Sequence, residues 1–142
     1  NNDGIGFSRM ADGNLVAYDL VAAYDEHMIV EANCGAFKAT AKGVSWCFSS
    51  AANKTTFEAA TQDNGSNQYL PFVGGHCALG MSFGNLTARG DPRTAVRIGN
   101  LLVLNGRLDV RTTFLQDTAR NIDNARLRYD LAIAAGNLKI ND

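Results

Sequence analysis

The chain has 142 residues, 46% of them hydrophobic and 19% charged, with a formal net charge of −1. That length suits one domain with a core of its own. The near-zero charge argues against a general nucleic-acid or anionic-membrane binder, and no apolar run approaches the roughly 18–20 residues that span a bilayer.

The opening Asn1-Asn2-Asp3-Gly4 is polar and looks like a processed start, the expectation for an exported chain. Residues 1–14 read as an irregular arm, with Ile5, Phe7 and Met10 as its apolar points. Residues 15–24 carry Val16, Tyr18, Val21 and Tyr24 and read as a short strand or extended entry segment.

The clearest structural signal is a hairpin. Phe37 to Ala41 and Val44 to Phe48 flank Lys42-Gly43, and a tight turn there pairs Ala39 with Trp46 and Phe37 with Phe48. Alternation puts those four residues on one face, and Lys38, Thr40, Ser45 and Cys47 on the other. Cys34 then lies about four residues beyond the position opposite Cys47. At about 3.3 Å per residue this is too far for a disulfide unless the strand bends.

Ser49-Ser50 offers an N-cap for a helix over 51–60 with Phe57 and Ala60 inward. Residues 62–68 form a polar loop. Residues 84–95 are glycine-rich and end in a turn signal, Gly90-Asp91-Pro92-Arg93. A second hairpin follows, Ala95 to Ile98 and Leu101 to Leu104 around Gly99-Asn100. Helices are expected over 108–115 and from Asp117-Thr118 onward, the latter with Ile122, Ala125, Tyr129 and Ile133 at helical spacing and Gly136 at its close. The expected architecture is α+β, a small antiparallel sheet of hairpins with helices packed on it. The single domain spans 15–136, followed by a tail over 137–142.

Between the helix and the second hairpin lies Tyr69-Leu70-Pro71-Phe72-Val73-Gly74-Gly75-His76-Cys77-Ala78. It places one of two histidines beside one of three cysteines. Thiolate and imidazole together suit copper or zinc. Adjacent strand residues point to opposite faces, so one ion can take both only where the backbone is irregular, which two glycines allow. A third ligand would come from His27, Cys34, Cys47, Met28 or Met81, with His27 preferred. Against the metal stands the ordinary role of cysteine as a small buried residue.

The ordered set Asp19-Leu20-Val21-Ala22-Ala23-Tyr24, Phe37 to Phe48-Ser49-Ser50 with Asn53 and Phe57, and Tyr69-x-Pro71-x-x-Gly74-Gly75-His76-Cys77-Ala78 resembles the YHS-domain family, in its exported, stand-alone branch. The likeness continues through Gly90-Asp91-Pro92 to Asp117 and Ile122. The resemblance implies a YHS-like α+β fold, a bacterial periplasmic or secreted location, and kinship with metal-binding YHS and TRASH-type domains. Two departures qualify what carries over. Ser49 and Asn53 stand where those relatives have cysteines, and both are poor ligands for zinc or copper(I). His76 replaces an aromatic residue and adds a nitrogen beside the thiol.

Other readings compete. Cys34, Cys47 and Cys77 allow one internal disulfide of undetermined pairing. Gly80-Met81-Ser82-Phe83-Gly84 fits G-x-S-x-G, but both histidines precede Ser82, the reverse of the hydrolase order, so the match reads as chance. A Cys77–His27 dyad is the remaining enzyme reading. Trp46, Phe37 and Phe48 read as core, whereas Tyr69, Phe72 and Phe83 beside Gly74 and Gly75 could line a pocket for a small ligand or a protein partner. The alternating arginines and aspartates of 107–130 read as a solvated, ion-paired face. Formal glycosylation acceptors at Asn53, Asn64 and Asn85 lose their meaning in a bacterium. The leading expectation is a non-catalytic exported binding protein for a soft metal, and the alternative is a metal-free pocket around residues 69–83.

Overall fold

The computed structural model of the chain describes residues 4–139. Asn1, Asn2 and Asp3 of the expected arm, with the polar start they suggested, and the last three residues of the expected tail lie outside the described residues. Among the described residues six strands and five α-helices follow one another: β1 Ser8–Ala11, β2 Asn14–Ala17, α1 Leu20–Asp25, β3 Lys38–Ala41, β4 Val44–Cys47, α2 Ala51–Ala59, α3 Ala78–Ser82, β5 Asp91–Ile98, β6 Leu101–Asn105, α4 Leu108–Leu115 and α5 Thr118–Ala134. A one-turn 3-10 helix, Phe72–Gly75, precedes α3. The α+β expectation holds, with the strands divided among three antiparallel two-stranded ladders.

Two expectations at the N-terminus are corrected. Residues 8–17, divided above between an arm and an entry segment, form one hairpin with Met10 opposite Leu15. Its turn, Asp12-Gly13, is left-handed at both residues (φ 52° and 81°), the geometry that matches the twist of paired strands. Residues 20–24, expected to be extended, are helical. Asp19 starts that helix, its carboxylate accepting from the Ala22 amide.

The β3–β4 hairpin has the expected register, Ala39 against Trp46 and Lys38 against Cys47. The chain then bends as a disulfide requires. Asn33 N donates to Phe48 O, while Phe48 N donates to Phe37 O. Residues 33–37 thus close as one helical turn, Phe37 N donating to Asn33 O, and no strand length is spent. Cys34 lands 4.9 Å (Cα–Cα) from Cys47 and the two are bonded. Cys77 is the free, buried thiol.

The β5–β6 hairpin holds the molecule together. Leu102 and Leu104 point into a core with Leu20, Phe48, Phe57 and Tyr69. Val103, between them, points into a second core with Met81, Phe114 and Ala125. A strand buried on both faces is apolar throughout, and Leu101-Leu102-Val103-Leu104 is such a run. The expected turn at 90–93 is instead a kink at the head of β5, where the register shifts between Asp91 and Val96. The helices at 51–59, 108–115 and 118–134 fall where expected. Among the described residues no helix is long and apolar enough to cross a membrane.

Candidate functional site

Three candidate sites can be built from the residues upward. The first is Asp19, fully buried and surrounded by donors. Its Oδ1 accepts from Ala22 N at 3.0 Å. Its Oδ2 accepts from Ser49 N at 2.8 Å, Ser49 Oγ at 2.7 Å and Asn53 Nδ2 at 2.9 Å. A carboxylate with four donors and no access to solvent is saturated, so it ties α1, the end of β4 and the start of α2 together. Ser49 and Asn53, where the resemblance puts cysteines in metal-binding relatives, are spent on this knot. The signal that could have found Asp19 in sequence is its place immediately before the apolar run Leu20 to Tyr24, an N-cap position.

The second candidate, the His76–Cys77 pair, is split by the fold. Cys77 is buried at the start of α3. Its sulfur accepts from Gly106 N at 3.3 Å and lies 3.9 Å from Asn105 Oδ1. Asn105, itself fully buried, accepts from Leu79 N and so caps α3 from a distance. His76 belongs to another surface, its ring tilted against Tyr129 at 6.4 Å between centroids. His27, preferred as third ligand and as dyad partner, is exposed beyond the end of α1 in a left-handed conformation. Among the described residues no three His, Cys, Asp or Glu side chains converge as a metal would require. The Ser82 hydroxyl donates to Leu79 O within the short α3, in place of a strand-to-helix elbow.

The third candidate is a cleft of about 1020 Å³ on the His76 side. It opens where the two cores meet: Trp46, Leu70 and Leu104 line it from one, Val73 and Tyr129 from the other. Its floor is the turn that the sequence singled out. Val73, Gly74 and Gly75 are successively left-handed, at φ 46°, 65° and 78°. Glycine takes that conformation freely, but for a β-branched valine it is a true outlier held by its surroundings. After the turn His76 bridges to Arg89, and Gly90 N donates to Gly75 O at 3.1 Å. A Cβ on Gly90 would overlap the Gly75 carbonyl oxygen and lie 2.6 Å from Leu104 Cβ, so only glycine fits.

Of the residues expected around a pocket, Gly74 and Gly75 line this cleft and the aromatics do not. Tyr69 is in the core, its hydroxyl donating to Asp25 at 2.8 Å. Burial first, and then the Asp25 carboxylate, push that phenol up to about 12. Phe72 is buried in the second core, and Phe83 is 76% exposed outside the cleft. Alternation in sequence cannot tell which side of a turn an aromatic falls on, because left-handed residues reverse the chain direction.

Charged side chains stand along the cleft: Arg9 on β1, Lys42 in the β3–β4 turn, Arg89, and Arg93 with Asp91. Arg93 grips Asp91 in a fork, Nε to Oδ1 at 3.1 Å and Nη2 to Oδ2 at 2.7 Å. Burial raises the Asp91 carboxyl, but the hydrogen bonds and charge of Arg93 outweigh it and hold the group below its ordinary value. Arg9 and Lys42 come from elements distant in sequence from each other and from Arg89 and Arg93, so no local motif announced the group.

Comparison of the chain with protein-family models, with curated proteins and with solved structures finds no match.

Proposed function

We propose that the chain is a non-catalytic binding module whose ligand seat is the cleft floored by Val73, Gly74 and Gly75. The observation that carries this reading is the strained turn. An αL valine is a conformation that packed structure must impose, and such outliers gather where a surface is shaped for a ligand. The cleft is at the upper end of the size range of small-molecule sites and pairs apolar walls with a few charged groups. Cys77, the foremost nucleophile of the sequence, is not in its lining and is held against Gly106 and Asn105. That disposition favours binding over covalent chemistry, and it favours the metal-free alternative over the soft-metal expectation. The YHS-like resemblance remains a proposal resting on the residues quoted for it. The Cys34–Cys47 bond supports an exported, oxidising setting.

The test is amide chemical-shift mapping with small aromatic fragments of either charge and none. The reading expects shifts at Gly74, Gly75, His76 and Gly90. A fragment set that perturbs only surfaces remote from this turn would remove it.

A further inference from the structure

Resting on that reading, we infer that the cleft's ligand is a small organic anion: an acidic group carried on a flat apolar body. The chain as a whole is slightly acidic, with 13 basic and 14 acidic residues. The cleft lining is not. Among the described residues it holds four of the basic side chains, Arg9, Lys42, Arg89 and Arg93, and one carboxylate, Asp91. That carboxylate is already engaged by Arg93 in a two-point pair, so its charge is matched locally.

Arg9 and Lys42 stand on separate elements and are both half-buried. The Lys42 ammonium donates to the Asn64 carbonyl at 3.4 Å, a neutral partner that leaves its charge intact. Cationic groups on a low-dielectric wall raise the local concentration of anions, and a concave wall focuses the effect. The apolar part of the site is Trp46, Leu70, Pro71, Val73 and Leu104. A purely inorganic anion would leave that surface wetted. An uncharged aromatic would make no use of the Arg9 and Lys42 charges. A ligand with both parts uses the whole lining.

The experiment titrates the intact chain with sodium benzoate, benzyl alcohol and benzylamine as matched probes, following the backbone amides of the cleft. Benzoate is expected to shift Gly74, Gly75, His76 and Gly90 with at least tenfold higher affinity than the other two. Its affinity should fall as salt is raised, because the charges involved are partly open to solvent. In the double variant Arg9→Gln, Lys42→Gln, benzoate affinity should drop about tenfold or more, with benzyl alcohol binding unchanged and the spectrum otherwise superimposable. If benzyl alcohol or benzylamine shifts the same amides as strongly as benzoate, the anion inference falls and the cleft reading stands. If none of the three shifts them, both fall. Benzoate binding that is indifferent to salt in the unmodified chain would also overturn the inference, and that arm does not depend on the variant.

Discussion

The Asp19 knot and the cleft at His76 both bring polar side chains together from separate elements, yet they are opposites. At Asp19 one buried carboxylate meets four donors, and the ligand of the site is the protein itself. Among the described residues the cleft is lined by four basic side chains and one carboxylate, and the backbone of its floor is strained. A polar cluster saturated by its own protein donors is a structural joint, whereas a concave surface that sets cationic side chains beside apolar ones suits another molecule.

Variants should separate the two regions, and the largest effect belongs to the knot. Asp19→Ala strands the buried donors of Ser49 and Asn53 and removes the cap of α1. A loss of about 3–5 kcal/mol in urea unfolding is expected, with benzoate affinity unchanged in the folded fraction. Next comes the disulfide, whose ends are 13 residues apart. Cys34→Ser with Cys47→Ser should cost about 3 kcal/mol by the same measurement, chiefly through the unfolded chain. A change in cleft affinity in either case would mean that the two regions are coupled.

Gly90→Ala is the corresponding change on the cleft side. The added Cβ must push the Gly75 carbonyl away, so about 1–3 kcal/mol of stability should be lost together with the shape of the cleft floor. Here stability and benzoate affinity should fall together, which distinguishes this variant from Asp19→Ala.

Tyr69→Phe should have the smallest effect at neutral pH, about 1 kcal/mol for the lost bond to Asp25. Its signature lies in alkali. The folded phenol titrates at about 12, against an ordinary value of 10.0, so the folded state keeps a proton that the unfolded chain releases. That contribution is fully present below pH 10 and is lost as pH rises toward about 12. The wild type should lose stability in that window faster than the variant, as read by urea midpoints at successive pH values.

Much of the fold was legible because its signals are local. Lys42-Gly43 between alternating strands fixed the register of β3 and β4, and Gly99-Asn100 marked the turn between β5 and β6, whose register shifts between Asp91 and Val96. Ser50 and Asp117 marked the starts of α2 and α5. The differences lie where a local signal competes with the surrounding pattern. Asp12-Gly13 is as good a hairpin turn as Lys42-Gly43, but the polar residues around it disguised β1 and β2. Asp19 caps α1, yet the apolar residues after it also fit an extended segment, so the cap is ambiguous in sequence. The site was legible only in part. The Tyr69 to Ala78 stretch does form the cleft floor, through Gly74 and Gly75, but adjacency in sequence suggested a shared role for His76 and Cys77. The left-handed turn and the start of α3 send the two side chains to different surroundings. Arg9 and Lys42, on which the charge of the cleft depends, meet only in three dimensions.

The central claim is that the cleft, rather than the buried thiol or the Asp19 knot, is where another molecule binds. Amide chemical-shift mapping of the intact chain with benzoate tests it most directly. The account predicts saturable shifts centred on Gly74, Gly75, His76 and Gly90, with Ala22, Ser49 and Asn53 unmoved. Saturable shifts centred on Ser49 and Asn53, or on Cys77 and Leu79 alone, would contradict it.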